Sequence, residues 1–208
     1  MNSKSTKRAL ISSAIALVVC IAMLVGSTFA WFTDNVSSAN NIIKSGNLDV
    51  MLEYSVLDAS GNWTQYSEVL PTTKIFDYEK WEPGYTSVAK FRVTNNGSLA
   101  LKYQLTADVV SETAGVNVAG DEFLLSEFLK YGVTGVIDAI KERDLALAIA
   151  NNDFDSFNLK TSTLAQGASD EVGMVIAMPT TVGNEANHNG IDIPTIQFGI
   201  NLLATQSV

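Results

Sequence analysis

The stretch SVAKFRVTNNGSLALKYQLTADV, residues 87–109, decides the fold class. In its first part Val88, Lys90, Arg92 and Thr94 alternate with Ala89, Phe91 and Val93. Side chains that change face at every residue mark a strand with one covered face. Leu99, Leu101, Tyr103, Leu105, Ala107 and Val109 carry the same period further. Asn95-Asn96-Gly97 lies between the two runs, and Asn and Gly tolerate positive φ. Two period-two runs around an Asn-Gly turn predict a hairpin.

Working outward, the same period appears on both sides. Leu48, Val50, Leu52 and Tyr54 alternate with Asn47, Asp49, Met51 and Glu53. Ala59-Ser60-Gly61-Asn62 is a turn composition, and Trp63–Val69 reads as the returning strand. Pro83-Gly84 is a second turn. Toward the C-terminus Val172, Met174, Ile176 and Met178 alternate with Gly173, Val175 and Ala177. A polar loop, Gly183–Gly190, precedes Ile196, Phe198, Ile200 and Leu202, which share one face against Gln197, Gly199 and Asn201. The middle differs. Asp121 reads as the cap of a helix over Phe123, Leu124, Leu125, Phe128 and Leu129, closed near Gly132. Gly135–Ile140 fits neither period, and Lys141–Ala150, rich in Ala and Leu, reads as helix up to Asn151-Asn152-Asp153. The expected fold is mainly β: an antiparallel two-sheet β-sandwich with a short helical insertion at about 121–152. No internal repeat or low-complexity tract interrupts it.

The start of the chain obeys a different grammar. Lys4, Lys7 and Arg8 form a basic head, Ala9–Val25 is uncharged, and Gly26-Ser27-Thr28-Phe29-Ala30 ends the apolar run with small residues. Thr28 and Ala30 fit the small-residue positions of a cut between Ala30 and Trp31. This is the pattern of a secretory signal peptide over 1–30. A membrane anchor needs about 20 apolar residues; this run is shorter, contains Ser12 and Ser13, and has no basic cluster after it. Cys20, the chain's one cysteine, follows Val19 in mid-run, which does not fit a lipidation site. Cleavage would leave 31–208 without a cysteine, so thiol catalysis and thiolate metal sites are excluded there. The whole chain has 13 basic and 22 acidic residues; removing three bases with the signal leaves ten, a formal −12. Such a charge repels nucleic acid and anionic lipid, so neither is an expected partner, and membrane contact is expected only through the uncleaved signal.

Chemistry-bearing patterns are few. His188 is the one histidine, set in the turn composition Asn187-His188-Asn189-Gly190, so a two-histidine zinc site cannot be built. There is no Gly-x-Ser-x-Gly elbow and no Gly-rich phosphate loop. Asp153 and Asp155 offer oxygen ligands of the kind calcium prefers, but the spacing of a calcium loop is missing, which favours solvated loop acids. No cofactor is expected. The leader 31–45 is polar apart from a few residues, yet cleavage would place Trp31-Phe32 at its tip. Each large aromatic left exposed rather than buried costs about 1.5–3 kcal/mol. The pair either folds back on its own domain or buries in a neighbour, as a segment that adds to a sheet edge of another subunit.

Several motifs carry a family likeness. Gly26-Ser27-Thr28-Phe29-Ala30-Trp31-Phe32-Thr33-Asp34, Ser45-Gly46-Asn47-Leu48-Asp49, Glu82-Pro83-Gly84 and Asn95-Asn96-Gly97-Ser98-Leu99-Ala100-Leu101-Lys102 resemble the TasA/camelysin family of secreted bacterial matrix proteins. Ile196-Gln197-Phe198 with Ala204-Thr205-Gln206 is similar to that family's closing strand. The likeness spans nearly the whole chain and is weakest over 110–170. It implies a jelly-roll β-sandwich over 46–208, export through a signal peptidase of the SipW type, and an extracellular or cell-surface location. It further implies biofilm-matrix fibres made of this chain or related matrix proteins, the N-terminal segment of one subunit completing a sheet in the next. The donor segment would run from Trp31 to about Lys44, with Trp31, Phe32, Val36, Ile42 and Ile43 as its apolar side chains. Camelysin-type relatives are described as metallopeptidases, but this chain has no His-Glu-x-x-His, so the expectation is a structural subunit and not an enzyme. A secreted metallopeptidase and a monomeric surface anchor for such fibres are the alternatives.

Overall fold

The computed structural model describes residues 12–20, 33–37, 48–76 and 81–207. The chain divides into two compact units, Met1–Thr33 and Asp34–Val208. In the first, residues 12–20 form a helix, α1, whose Ile15, Leu17, Val18 and Val19 are exposed. Among the described residues no helix is long and apolar enough to cross a membrane.

The second unit is an antiparallel β-sandwich. One sheet has the order β1-β12-β5-β10, formed by Thr33–Ser37, Thr195–Gln206, Leu101–Thr113 and Phe157–Leu164. The other has the order β3-β2-β4-β11-β8-β9. Its strands are Ser67–Glu68, Val50–Val56, Thr86–Asn95, Ser169–Ala177, Lys130–Thr134 and Asn152–Asp153. A small ribbon pairs β6, Gly115–Val116, with β7, Glu122–Phe123. The alternation in the sequence places the core. Leu101, Tyr103, Leu105 and Ala107 of β5 are buried while Lys102 and Gln104 between them are exposed. They meet Phe91 and Val93 of β4, Met174 and Ile176 of β11, and Ile200 and Leu202 of β12 in one cluster.

β11 is buried on both faces from Val172 to Ala177, because a second cluster covers the outside of its sheet. There Val88, Val175 and Ala177 pack against Ile140, Ala146 and Ala150. Ala146 belongs to helix α2, Arg143–Ile149, which lies inside the expected Lys141–Ala150 helix. Two glycines permit the close approach. A Cβ on Gly132 would stand 2.4 Å from the Ile149 carbonyl oxygen, and one on Gly173 would stand 2.8 Å from the Ile140 Cδ1.

Three expectations are corrected. The Asn95-Asn96-Gly97 turn closes no hairpin: β4 pairs with β2 and β11, whereas β5 pairs with β10 and β12 in the opposite sheet. The chain crosses between sheets here because Asn95 is a buried corner post. Its Nδ2 donates to the carbonyls of Leu99 (2.8 Å), Leu164 (3.2 Å) and Ala165 (3.1 Å), and its Oδ1 accepts the Gly97 N–H at 3.0 Å. Leu164 and Ala165 begin the β10–β11 connection, the second sheet crossing, so one amide pins both.

The helix expected over 123–129 is instead β7, a 3-10 turn at Leu125–Glu127 and the approach to β8. Phe123, Leu125 and Leu129 are buried, but they plug the core from an irregular segment. Asp121 caps no helix; its carbonyl accepts the Asn117 N–H and its N–H donates to Asn117 Oδ1, closing a turn. Finally, the strand expected over Trp63–Val69 shrinks to a Leu57–Trp63 bridge and two-residue β3. Trp63 turns away to pack, with Leu57, on the outer cluster.

Candidate functional site

The sandwich offers one long sheet edge. β12 has twelve residues, laddered to β5 from Thr195–Thr113 through Gln206–Leu101. On its other side, among the described residues, stands only β1, five residues long. Backbone N–H and C=O groups need partners, and an unpaired row of them is a template for another strand. The remaining edges are blunter. β3 and β9 have two residues each. β10 is broken by a bulge between Asn158 and Lys160, and Lys160 stands in mid-strand, both devices that discourage edge pairing.

Beside β12 lies a cleft of about 470 Å³. Ile196, Phe198 and Ile200 of β12 form its floor, with Val110 of β5 and the segment Pro71–Phe76 as walls. Val110 reaches it because it is the extra residue of a bulge: Gln197 faces Ser111 and Phe198 faces Val109. Phe198 packs on Phe76 and Phe154, with ring centroids 5.6 and 5.4 Å apart. The wall is shaped by a local turn, in which the Leu70 N–H donates to Thr73 Oγ1 (2.8 Å) and the Thr73 N–H to the Leu70 carbonyl (2.9 Å). Sequence reasoning left this segment unassigned, because its six residues have no period.

Near the other end of the sandwich the two sheets are clasped by charge. Tyr103 of β5 donates to Asp170 Oδ2 at 2.8 Å, and Lys160 of β10 donates to Asp170 Oδ1 at 2.6 Å. Partial burial pushes the Asp170 carboxyl up, but the hydrogen bonds from Lys160 and Tyr103 outweigh it and hold it below the ordinary carboxylate value. Burial, then the bond to Asp170, pushes the Tyr103 phenol well up, so it stays a donor.

Of the residues singled out in the sequence, Ala30, Trp31, Phe32, Ile42 and Ile43 lie outside the described residues, and Val36 lies in β1. His188 is in an exposed loop, bridged to Asn117, with Nδ1 accepting the Gly190 N–H at 3.0 Å. Asp153 pairs with Lys130, and Asp155 accepts the Ser156 N–H. The two acids are thus turned to separate partners. Among the described residues no three His, Cys, Asp or Glu side chains come together as metal ligands.

The fold and this edge define a class, an antiparallel β-sandwich with a short leading strand at one sheet edge. The chain belongs to the camelysin metallo-endopeptidase family, whose sequence model matches residues 5–177. The match ends at the last residue of β11, so β12, the floor of the cleft, lies beyond it, while the walls at Pro71–Phe76 and Val110 lie within it. No curated protein matches the chain. The family's description implies a metal. The described donor set does not fit one, since among the described residues no three His, Cys, Asp or Glu side chains, His188 included, come together.

Proposed function

We propose that this chain is a secreted structural subunit of extracellular matrix fibres that assembles by exchanging its N-terminal strand. The observation that carries the reading is the position of β1. It is the outermost strand of the four-stranded sheet, seated on β12, and it comes from the leading end of the chain. The strand order supports a jelly roll. The principal strands interleave as β1-β12-β5-β10 opposite β4-β11-β8-β9, with β2 and β3 added at the edge. In that arrangement β1 is a constituent strand of the sandwich, so a subunit without one has an incomplete sheet.

Ten residues, 38–47, separate β1 from Leu48 in the sequence. A chain of that length spans at most about 35 Å, enough to hand β1 to the β12 edge of a neighbour instead of its own. The same contact repeated head to tail does not close, and makes a filament. Membership in the camelysin family, with the signal-like residues 1–30, supports export and cleavage after Ala30.

Electron microscopy of purified 31–208 beside a chain beginning at Gly46 tests the proposal. Fibres are expected from the first and not from the second. Val36→Pro, which takes a backbone N–H out of the middle of β1 and disfavours a strand there, is expected to reduce fibres in the full leader. Fibres that form equally well without the leader would sink strand exchange.

A second reading rests on the family's description as a metallo-endopeptidase. It requires casein hydrolysis that a chelator abolishes, and purified protein with no hydrolysis at all would retire it.

A further inference from the structure

We propose that Asn189-Gly190 is a self-modifying site, at which the Asn189 side chain closes on the backbone to a succinimide with His188 as the base. Three parts of such a reaction are assembled in this loop. The nucleophile is the Gly190 backbone nitrogen, whose N–H donates to His188 Nδ1 at 3.0 Å. For Nδ1 to accept, the imidazole proton sits on Nε2. The electrophile is the Asn189 amide carbon, whose Oδ1 accepts the N–H groups of Ile191 (2.8 Å) and Asp192 (2.9 Å). Two backbone donors on one oxygen fix the amide orientation, and they strengthen as charge develops on that oxygen. The leaving nitrogen, Nδ2, is held by Asp192 Oδ2 at 3.3 Å.

The loop is held in place as well as equipped. Asn189 N–H donates to the Val116 carbonyl (2.8 Å), Val116 N–H to the Asp192 carbonyl (3.1 Å), and Val118 N–H to the Asn187 carbonyl (2.9 Å). Holding reactants in one geometry removes much of the entropic barrier. Gly190 adopts φ +87°, and a Cβ there would meet nothing within 4 Å, so the space beside its Cα is open.

The balance closes without any other reagent than water. Gly190 N gives its proton to His188 Nδ1 and bonds to Asn189 Cγ, forming a tetrahedral centre. The Cγ–Nδ2 bond then breaks, His188 returns the proton to Nδ2, and ammonia leaves. Water opens the ring at either carbonyl, giving aspartate or an isoaspartyl linkage, and in both cases a new negative charge.

The second Asn-Gly pair among the described residues is a built-in control. At Asn96-Gly97 the Gly97 nitrogen donates to the Asp49 carbonyl and to Asn95 Oδ1, both at 3.0 Å, and Gly97 is buried. Neither acceptor is a base of imidazole strength.

The test is peptide mapping by mass spectrometry of the purified folded chain during incubation at neutral pH. Succinimide and its hydrolysis products are expected at Asn189 and not at Asn96. His188→Gln keeps an acceptor without the base, and is expected to slow Asn189 by about tenfold or more, while the silence of Asn96 certifies its fold. The unaltered chain in denaturant is expected to lose the difference between the sites, with Asn189 slower than in the folded chain. Equal rates at both pairs in the folded chain, an unchanged rate in His188→Gln, or faster reaction at Asn189 on unfolding would each overturn the assignment.

Discussion

Asn95 is a buried amide that spends its polar atoms on four backbone groups from two segments, its own turn and residues 164–165. Replacing it with Ala leaves the carbonyls of Leu99, Leu164 and Ala165 without that donor in the interior. The expected loss is about 2–4 kcal/mol, read as a lower urea midpoint at unchanged slope. Asp170 makes a prediction of a different kind. Its folded carboxyl lies below the ordinary value, so the unfolded chain binds that proton more readily. Its stabilisation is therefore complete above the unfolded carboxylate pKa, about 4, and drains away as pH falls through the lower folded value. Urea melts from about pH 5 downward should show a steeper acid loss in the native chain than in Asp170→Asn. Parallel curves would mean that the Tyr103–Asp170–Lys160 clasp contributes nothing.

At the scale of elements, α2 rests on β8 through a missing side chain. Gly132→Ala drives a Cβ against the Ile149 carbonyl, a backbone group that cannot rotate aside. It should cost about 1–3 kcal/mol, whereas Gly135→Ala, where a Cβ would meet nothing within 4 Å, should melt within about 0.5 kcal/mol of the parent. Differential scanning calorimetry of the two variants decides it. The elements differ in how readable they are. β4, β5 and β12 are legible because each alternates beside a covered face, β11 because its run from Val172 to Ala177 carries no polar side chain, and Lys141–Ala150 because Ala and Leu dominate it. The supposed hairpin failed for a different reason: Asn-Gly announces that the chain turns, and says nothing of which sheet receives the next strand. That information lies in Leu164 and Ala165, 69 and 70 residues from Asn95. The segment 123–129 misled because buried Phe123, Leu125 and Leu129 can plug a core without any helix. As for the candidate site, β12 was readable and β1 was not. TDNVS has one apolar residue and no period, so its strand character comes from the edge it joins.

For the whole molecule, charge would set the conditions of the proposed assembly. Without residues 1–30 each subunit would carry a formal −12, so neighbours in the proposed filament would repel one another. Screening weakens with dilution of salt, with a Debye length of about 10 Å at 0.1 M and about 30 Å at 0.01 M. Growth of fibres from 31–208 should accordingly quicken as ionic strength rises, as followed by light scattering, and a rate that falls with salt would point to attraction between unlike charges instead. The corner at Asn95 has a last consequence, one of timing. Its amide finishes its bonds only when residues 164 and 165 are present, and β1 gains its place only when β12, the last strand, has arrived. Pairings this distant along the chain make for slow folding. A polypeptide threaded out of a compartment N-terminus first would therefore stay pliable through much of its passage, and would harden into shape only once β12 had followed.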